Sequence, residues 1–102
     1  MIPVQFHFEA EAELAEAALF YEEKVVGLGI SFAVEMKNSV AFIQAYPESS
    51  PRLGRLLRKF VVKRFPYTIL YHYEEERIFI LAIAHDRRRP GYWKLRQKSS
   101  PV

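Results

Sequence analysis

The chain has 102 residues, half of them apolar and 15% aromatic, which fits one domain with a modest core and excludes a disordered class. It has no cysteine, so disulfides, thiolate zinc sites and cysteine nucleophiles are ruled out. The net charge of +3 conceals a polarity: residues 1–51 carry two lysines against eight glutamates, and residues 52–102 carry thirteen Lys/Arg against four acids, a net of +9. A basic half of that size calls for an acidic partner, either nucleic acid or an acidic protein segment. No run of about 18 apolar residues is present, and no cationic segment precedes an apolar core at the N-terminus. A membrane span and a signal peptide are therefore not expected, and a cytoplasmic location is.

In chain order, Val4 to Phe8 alternate apolar and polar residues and read as a short strand. From Glu9 the period changes. Ala10, Leu14, Ala17, Ala18, Tyr21 and Val25 recur at three- and four-residue steps and mark one face of a helix. Glu9, Glu11, Glu13 and Glu16 sit in its first turns, suited to the positive end of the helix dipole, and read as a solvated face. No Ser, Thr, Asp or Asn stands ready to cap its start. Gly27-Leu28-Gly29 ends it, and a second helix follows through Leu28, Phe32, Met36, Val40, Ile43 and Tyr46 until Pro47. Two helices so closely linked pack as an antiparallel hairpin. Residues 47–54 form a turn-rich connection.

Three strands follow: Leu56 to Phe65, which mixes apolar and basic residues, then Tyr67 to Tyr73, then Ile78 to Ala84. The last is apolar throughout and reads as buried on both faces. A two-residue loop at Glu75-Glu76 pairs Glu74 with Arg77 and His85 with Pro66. One sheet face then carries Leu70, His72, Phe79, Leu81 and Ile83, and the other carries Tyr67, Ile69, Tyr71, Tyr73, Ile80, Ala82 and Ala84. The large aliphatic face is assigned to the helices, leaving the tyrosine–alanine face open for a partner. The fold class expected is α+β, a single domain over 1–102 with order β-α-α-β-β-β and a mainly antiparallel sheet of about four strands.

Chemistry concentrates after the last strand, at His85-Asp86-Arg87-Arg88-Arg89-Pro90-Gly91-Tyr92-Trp93. Guanidinium forks suit phosphates and carboxylates, and rings suit bases or partner side chains. The alternative is a solvated basic turn, with Trp93 a lid on the core. The cations of residues 52–64 either pave the sheet edge facing a partner or protect an edge strand from aggregation. The arginine turn and this basic ribbon are expected to converge on one side. His72 and His85 lie about six residues of strand, roughly 20 Å, apart, too far for one metal shell. No metal or cofactor is expected, and His85 is more simply a backbone hydrogen-bonding residue than an acid/base.

Glu13-Leu14, Tyr21-Glu22, Gly27-Leu28-Gly29 with Phe32 and Glu35, Arg64-Phe65-Pro66-Tyr67 with Tyr71, and His85 followed by Arg87 to Trp93 together resemble the RelE/ParE superfamily of bacterial type II toxin–antitoxin toxins. The resemblance spans nearly the whole chain. It implies a small cytosolic toxin, a helix hairpin on an antiparallel sheet, and an acidic or amphipathic antitoxin that wraps it. The RelE-like branch cuts mRNA in the ribosome with basic residues and an aromatic or other acid/base; the ParE-like branch inhibits DNA gyrase. Where the ribonuclease branch usually has an arginine after the aromatic opening the third strand, this chain has Thr68. Losing one such guanidinium typically costs ~2–4 kcal/mol of transition-state stabilisation. The resemblance therefore favours the ParE-like branch. A ribonuclease using Lys59, His85, Arg87 and Tyr92 is the alternative, and an inactive binding module of the same fold is the second. Residues carried over as target- or antitoxin-binding are Arg58, Lys59, Lys63, Arg64, Tyr67, Tyr71, Arg87, Arg88, Arg89, Tyr92 and Trp93.

Overall fold

The computed structural model describes residues 1–99 and orders its elements as β1 (Val4–Phe6), α1 (Phe8–Lys24), α2 (Leu28–Ala45), β2 (Arg52–Leu53), β3 (Leu57–Val61), β4 (Tyr67–Glu74), β5 (Arg77–His85) and a terminal 3-10 helix (Lys94–Ser99). The α+β class and the element order agree with expectation, but the sheet has five strands, not four, in the order β1-β5-β4-β3-β2. The extra strand is β2, where two residues inside the turn-rich connection pair with Arg58 and Leu57. Two residues are too short to leave a period in a sequence. β1 runs parallel to β5 and the other pairs are antiparallel, so the sheet is mixed.

Local chemistry sets the helix ends. His7, an unforeseen cap, accepts the Glu9 N–H on Nδ1 at 3.1 Å. α1 stops at Lys24, and Gly27 adopts a left-handed φ of 88° that turns the chain into α2. Glu22 fastens this corner, its carboxylate accepting the N–H of Gly27 at 2.8 Å and of Gly29 at 3.0 Å. Gly29 is required there, because a Cβ would come within 2.5 Å of the Ala18 carbonyl oxygen.

The β4–β5 hairpin has the expected two-residue loop, with Glu74 paired to Arg77 and both Glu75 and Glu76 at positive φ (51° and 57°). That geometry belongs to a type I′ turn, whose twist matches the strands. A β-bulge then breaks the register: Tyr71 pairs with Ile80 but Leu70 pairs with Ala82. One residue of slip exchanges faces. His85 consequently pairs with Tyr67, not Pro66, and Ile83 joins Ile78 and Ile80 beneath the helices. Ala84 in turn borders the opposite side with Leu70.

The expected assignment of faces is reversed. The helices cover the tyrosine face, where Ile69, Tyr71 and Ile80 meet Ala10, Phe32, Met36 and Ile43 in the main core. The reason is steric: α1 turns small residues, Ala10, Ala17 and Ala18, toward the sheet, and rings fill the space they leave. Tyr71 is fully buried and its hydroxyl donates to the Pro47 carbonyl at 2.9 Å. Tyr21, Phe32, Phe65 and Tyr67 form an edge-to-face cluster, with Phe65 centred 5.0 Å from Tyr21 and 5.1 Å from Phe32. On the other face Leu57, Phe79 and Leu81 form a smaller core against which Leu53 and Trp93 pack. His72 is buried on this side with both ring nitrogens lacking a well-formed hydrogen bond, and burial pulls its pKa down against the Glu74 charge and the Leu56 backbone.

The chain end is held by Glu13, a residue read from sequence as solvated. Its Oε1 accepts the Ile83 N–H at 2.9 Å and Arg96 Nη1 at 2.9 Å. Its Oε2 accepts Arg96 Nη2 at 2.8 Å and the Tyr92 hydroxyl at 2.5 Å. Arg96 is 8% exposed, donates also to the Leu81 carbonyl at 3.3 Å, and lies 3.6 Å from Glu9. Burial would raise the Glu13 pKa, but the bonds from Arg96, Tyr92 and Ile83 win and hold it below the ordinary carboxylate value.

Removing one partner of a buried pair strands the other, typically at ~3–5 kcal/mol. Glu13→Gln should therefore cost about 3 kcal/mol in urea unfolding followed by Trp93, the sole tryptophan. Because the folded-state pKa of Glu13 is depressed, its contribution is present above the ordinary carboxylate range and lost as pH falls through that range to the lowered value. Stability measured against pH should drop there in the wild type and be flatter in Glu13→Gln.

Candidate functional site

The sheet face turned away from the helices carries an open groove of about 850 Å³. Period-two alternation along β3 builds one wall. Arg58 turns back and donates Nη1 to the carbonyls of Glu48 (2.9 Å) and Ser50 (2.8 Å), fastening the connection before β2. Lys59, next to it, is exposed on the groove. Leu57, Leu70, Ala84 and Trp93 supply an apolar floor, and Arg55, Lys59, Arg88, Arg89 and Lys94 supply cations. Asp86 is the one acid among the lining residues, and its carboxylate accepts the Thr68 hydroxyl at 3.1 Å.

The arginine turn owes its shape to the end of β5. His85 Nδ1 accepts the Arg87 N–H at 3.0 Å and its carbonyl accepts the Arg88 N–H at 2.9 Å. An accepting Nδ1 leaves the proton of the neutral imidazole on Nε2. Asp86 donates its N–H to the Pro66 carbonyl at 2.9 Å, tying the turn to β4. Gly91, at φ 81°, redirects the chain so that Tyr92 meets Glu13 and Trp93 meets the small core. The Tyr92 phenol is pushed well above its usual range, chiefly by burial and then by its bond to Glu13. It is a fixed hydrogen-bond donor, not a group poised to exchange protons near neutrality.

Apart from Arg58, the residues singled out in the sequence fall into four places. Lys59, His85, Arg88, Arg89, Tyr92 and Trp93 border the groove. Arg87 is exposed beside it, outside the lining. Lys63 and Arg64 lie exposed at the β3–β4 turn, Arg64 at φ 73° and 4.0 Å from Glu35. Tyr67 and Tyr71 lie under the helices; burial, reinforced by Tyr21 and Glu13, raises the Tyr67 pKa to about 12. Arg55, one of the cations of the 52–64 ribbon, borders the groove as well, whereas sequence reasoning missed Lys94 and the Glu13–Arg96 pair. Glu13 carried a signal, a glutamate among the alanines of the inward stripe, but its partner lies 83 residues away. Among the described residues no three imidazoles or carboxylates gather to hold a metal ion, and no helix is long and apolar enough to cross a membrane.

A guanidinium and ammonium rim over an apolar floor suits a partner that is both acidic and apolar, or a phosphate chain with bases to stack. The fold around it has relatives. The structure of a chromosomal ParDE TA system from P. aeruginosa matches with a TM-score of 0.70 at 18% identity, over 83% of this chain and 96% of that one, a likeness of fold. No curated protein matches. A family model described as the ParE toxin of the type II toxin–antitoxin system parDE matches residues 4–90, from β1 through the arginine turn. The chain belongs to the ParE toxin family of type II toxin–antitoxin systems.

Proposed function

We propose that this toxin arrests growth by acting on DNA gyrase, in the cytoplasm, and is neutralised by a cognate antitoxin. The observation that carries the choice of target is at Thr68. In the ribonuclease branch that this chain also resembles, an arginine usually follows the aromatic opening this strand. Here a short hydroxyl takes its place and is bonded to Asp86. An in-line attack on a phosphate needs positive charge on the developing phosphorane, and this corner supplies a neutral donor beside an acid. The committed Tyr92 hydroxyl supports the same reading. Antitoxin binding is supported by the groove, where cations flank apolar side chains.

A second reading keeps one observation in its favour. Lys59, His85 and Tyr92 border a single groove with Arg87 beside it, a set from which a ribosome-dependent mRNA endonuclease would be assembled. The two are separable. Purified protein should inhibit gyrase supercoiling at concentrations that match toxicity in cells, and primer extension on translated mRNA should show no new cuts. Untouched supercoiling with fresh cuts reverses the assignment.

The arginine turn is the working surface in this reading. Arg77 serves as the control, since it sits in the exposed β4–β5 turn with only a 3.9 Å approach to Glu75. Arg87→Ala and Arg88→Ala should each weaken growth arrest about tenfold or more at equal expression, as expected for lost charge-assisted contacts of ~1.5–3 kcal/mol. Arg77→Ala should change it little. Equal toxicity of all three variants would place the surface elsewhere.

A further inference from the structure

Three consecutive arginines leave β5, and among the described residues one of them, Arg88, lies against a ring. The Arg88 guanidinium carbon lies 3.8 Å from the centre of the Tyr92 ring, inside cation–π range. The Arg96 guanidinium carbon lies 5.0 Å from the same ring. Among the described residues, Arg87 and Arg89 have no such contact with a ring. The ring cannot turn away, because its hydroxyl donates to Glu13, itself clamped by Arg96 and the Ile83 N–H. Arg88 is thus exposed but oriented. It stands where the groove meets a second cleft of about 300 Å³ bordered by Glu13, Glu16 and Tyr67.

We infer that Tyr92 is a positioning residue: its ring, aimed by Glu13 through the phenol, holds Arg88 ready for an anionic group of the partner at the mouth of the groove. A long arginine side chain loses rotamer freedom when it binds, and a guanidinium already docked on a ring loses less. The device therefore singles out Arg88 from two chemically identical neighbours. Tyr92 and Arg96 lie beyond the residues that match the family model, 4–90, so the support comes from a part of the chain outside the match. The inference rests on the proposed reading in one respect, that the arginine turn is the working surface.

Two measurements test it. In side-chain NMR of the full chain, the ring should shift the Arg88 Hδ resonances upfield in the wild type, less so in Tyr92→Phe, which keeps the ring but loses the hydroxyl that aims it, and they should return to random-coil positions in Tyr92→Leu. Random-coil positions in the wild type overturn the inference. In growth arrest at matched soluble levels, Tyr92→Leu should weaken toxicity about two- to fivefold, the scale of an exposed cation–π contact, and Tyr92→Phe, with the ring but not the hydroxyl that aims it, should fall between Tyr92→Leu and the wild type. In an Arg88→Ala background Tyr92→Leu should add nothing, since it acts through the missing group. An additive loss in the double variant assigns Tyr92 to holding the fold and overturns the inference. A wild type that arrests nothing overturns the proposed function alone, and the resonances still decide whether Tyr92 holds Arg88.

Discussion

One carboxylate fastens the end of the chain to its beginning. Glu13 accepts four hydrogen bonds from three sources: the backbone of β5, the phenol of Tyr92 and both arms of Arg96. Burying a charge is unfavourable unless its lone pairs are satisfied, and here each oxygen has two donors. The bonds do more than offset desolvation. They join α1, the last long strand and the terminal 3-10 helix at a single point, so the segment that follows the arginine turn is anchored to a residue on the helix hairpin. A disturbance of α1 near Glu13 would reach Tyr92 directly.

The sheet shows how this small fold divides its two faces. The helix side is a closed core of rings and isoleucines. The other side has only a small core, Leu57, Phe79 and Leu81, with Trp93 and Leu53 packed against it. The rest of that side is the groove. Trp93 is therefore both the edge of a core and a wall of the site, and the same tail that supplies the cations also completes the fold. Arg58 and Lys59 divide similar work by alternation alone: one pins a loop and the next faces the groove.

Much of this was legible in the residues. The three-and-four spacing of Phe32, Met36 and Ile43 marked the buried stripe of α2, and Glu75-Glu76 marked the tight hairpin with its first pairs. The bulge was not legible, because nothing local distinguishes Leu81 from its apolar neighbours, yet it moved Ile83 and Ala84 to opposite faces. The faces themselves were misread because both sides of β5 are apolar, and residue size alone does not say which side lies under helices lined with alanine. His7 caps α1 with an imidazole nitrogen, a donor–acceptor arrangement that a search for hydroxyl and carboxylate caps passes over. Glu13 was misread for a different reason: a glutamate near the start of a helix suits the dipole and reads as solvated, and its actual role depends on residues far along the chain. At the candidate site the arginine cluster was visible as composition, while the apolar floor and the Tyr92 clamp exist only after β3, β4 and the tail are brought together.

The parallel pairing of β1 with β5 has a consequence for how the protein is made. Val4 finds its partner at Ile78, so the first strand synthesised has no place to dock until the last has emerged from the ribosome. The arginine turn follows at once, and its tether reaches back to α1 only after that. The sheet therefore cannot close before residues 77–85 are made, and until then the helix hairpin stands beside an unfinished sheet. The groove and the completed sheet take shape in the same step.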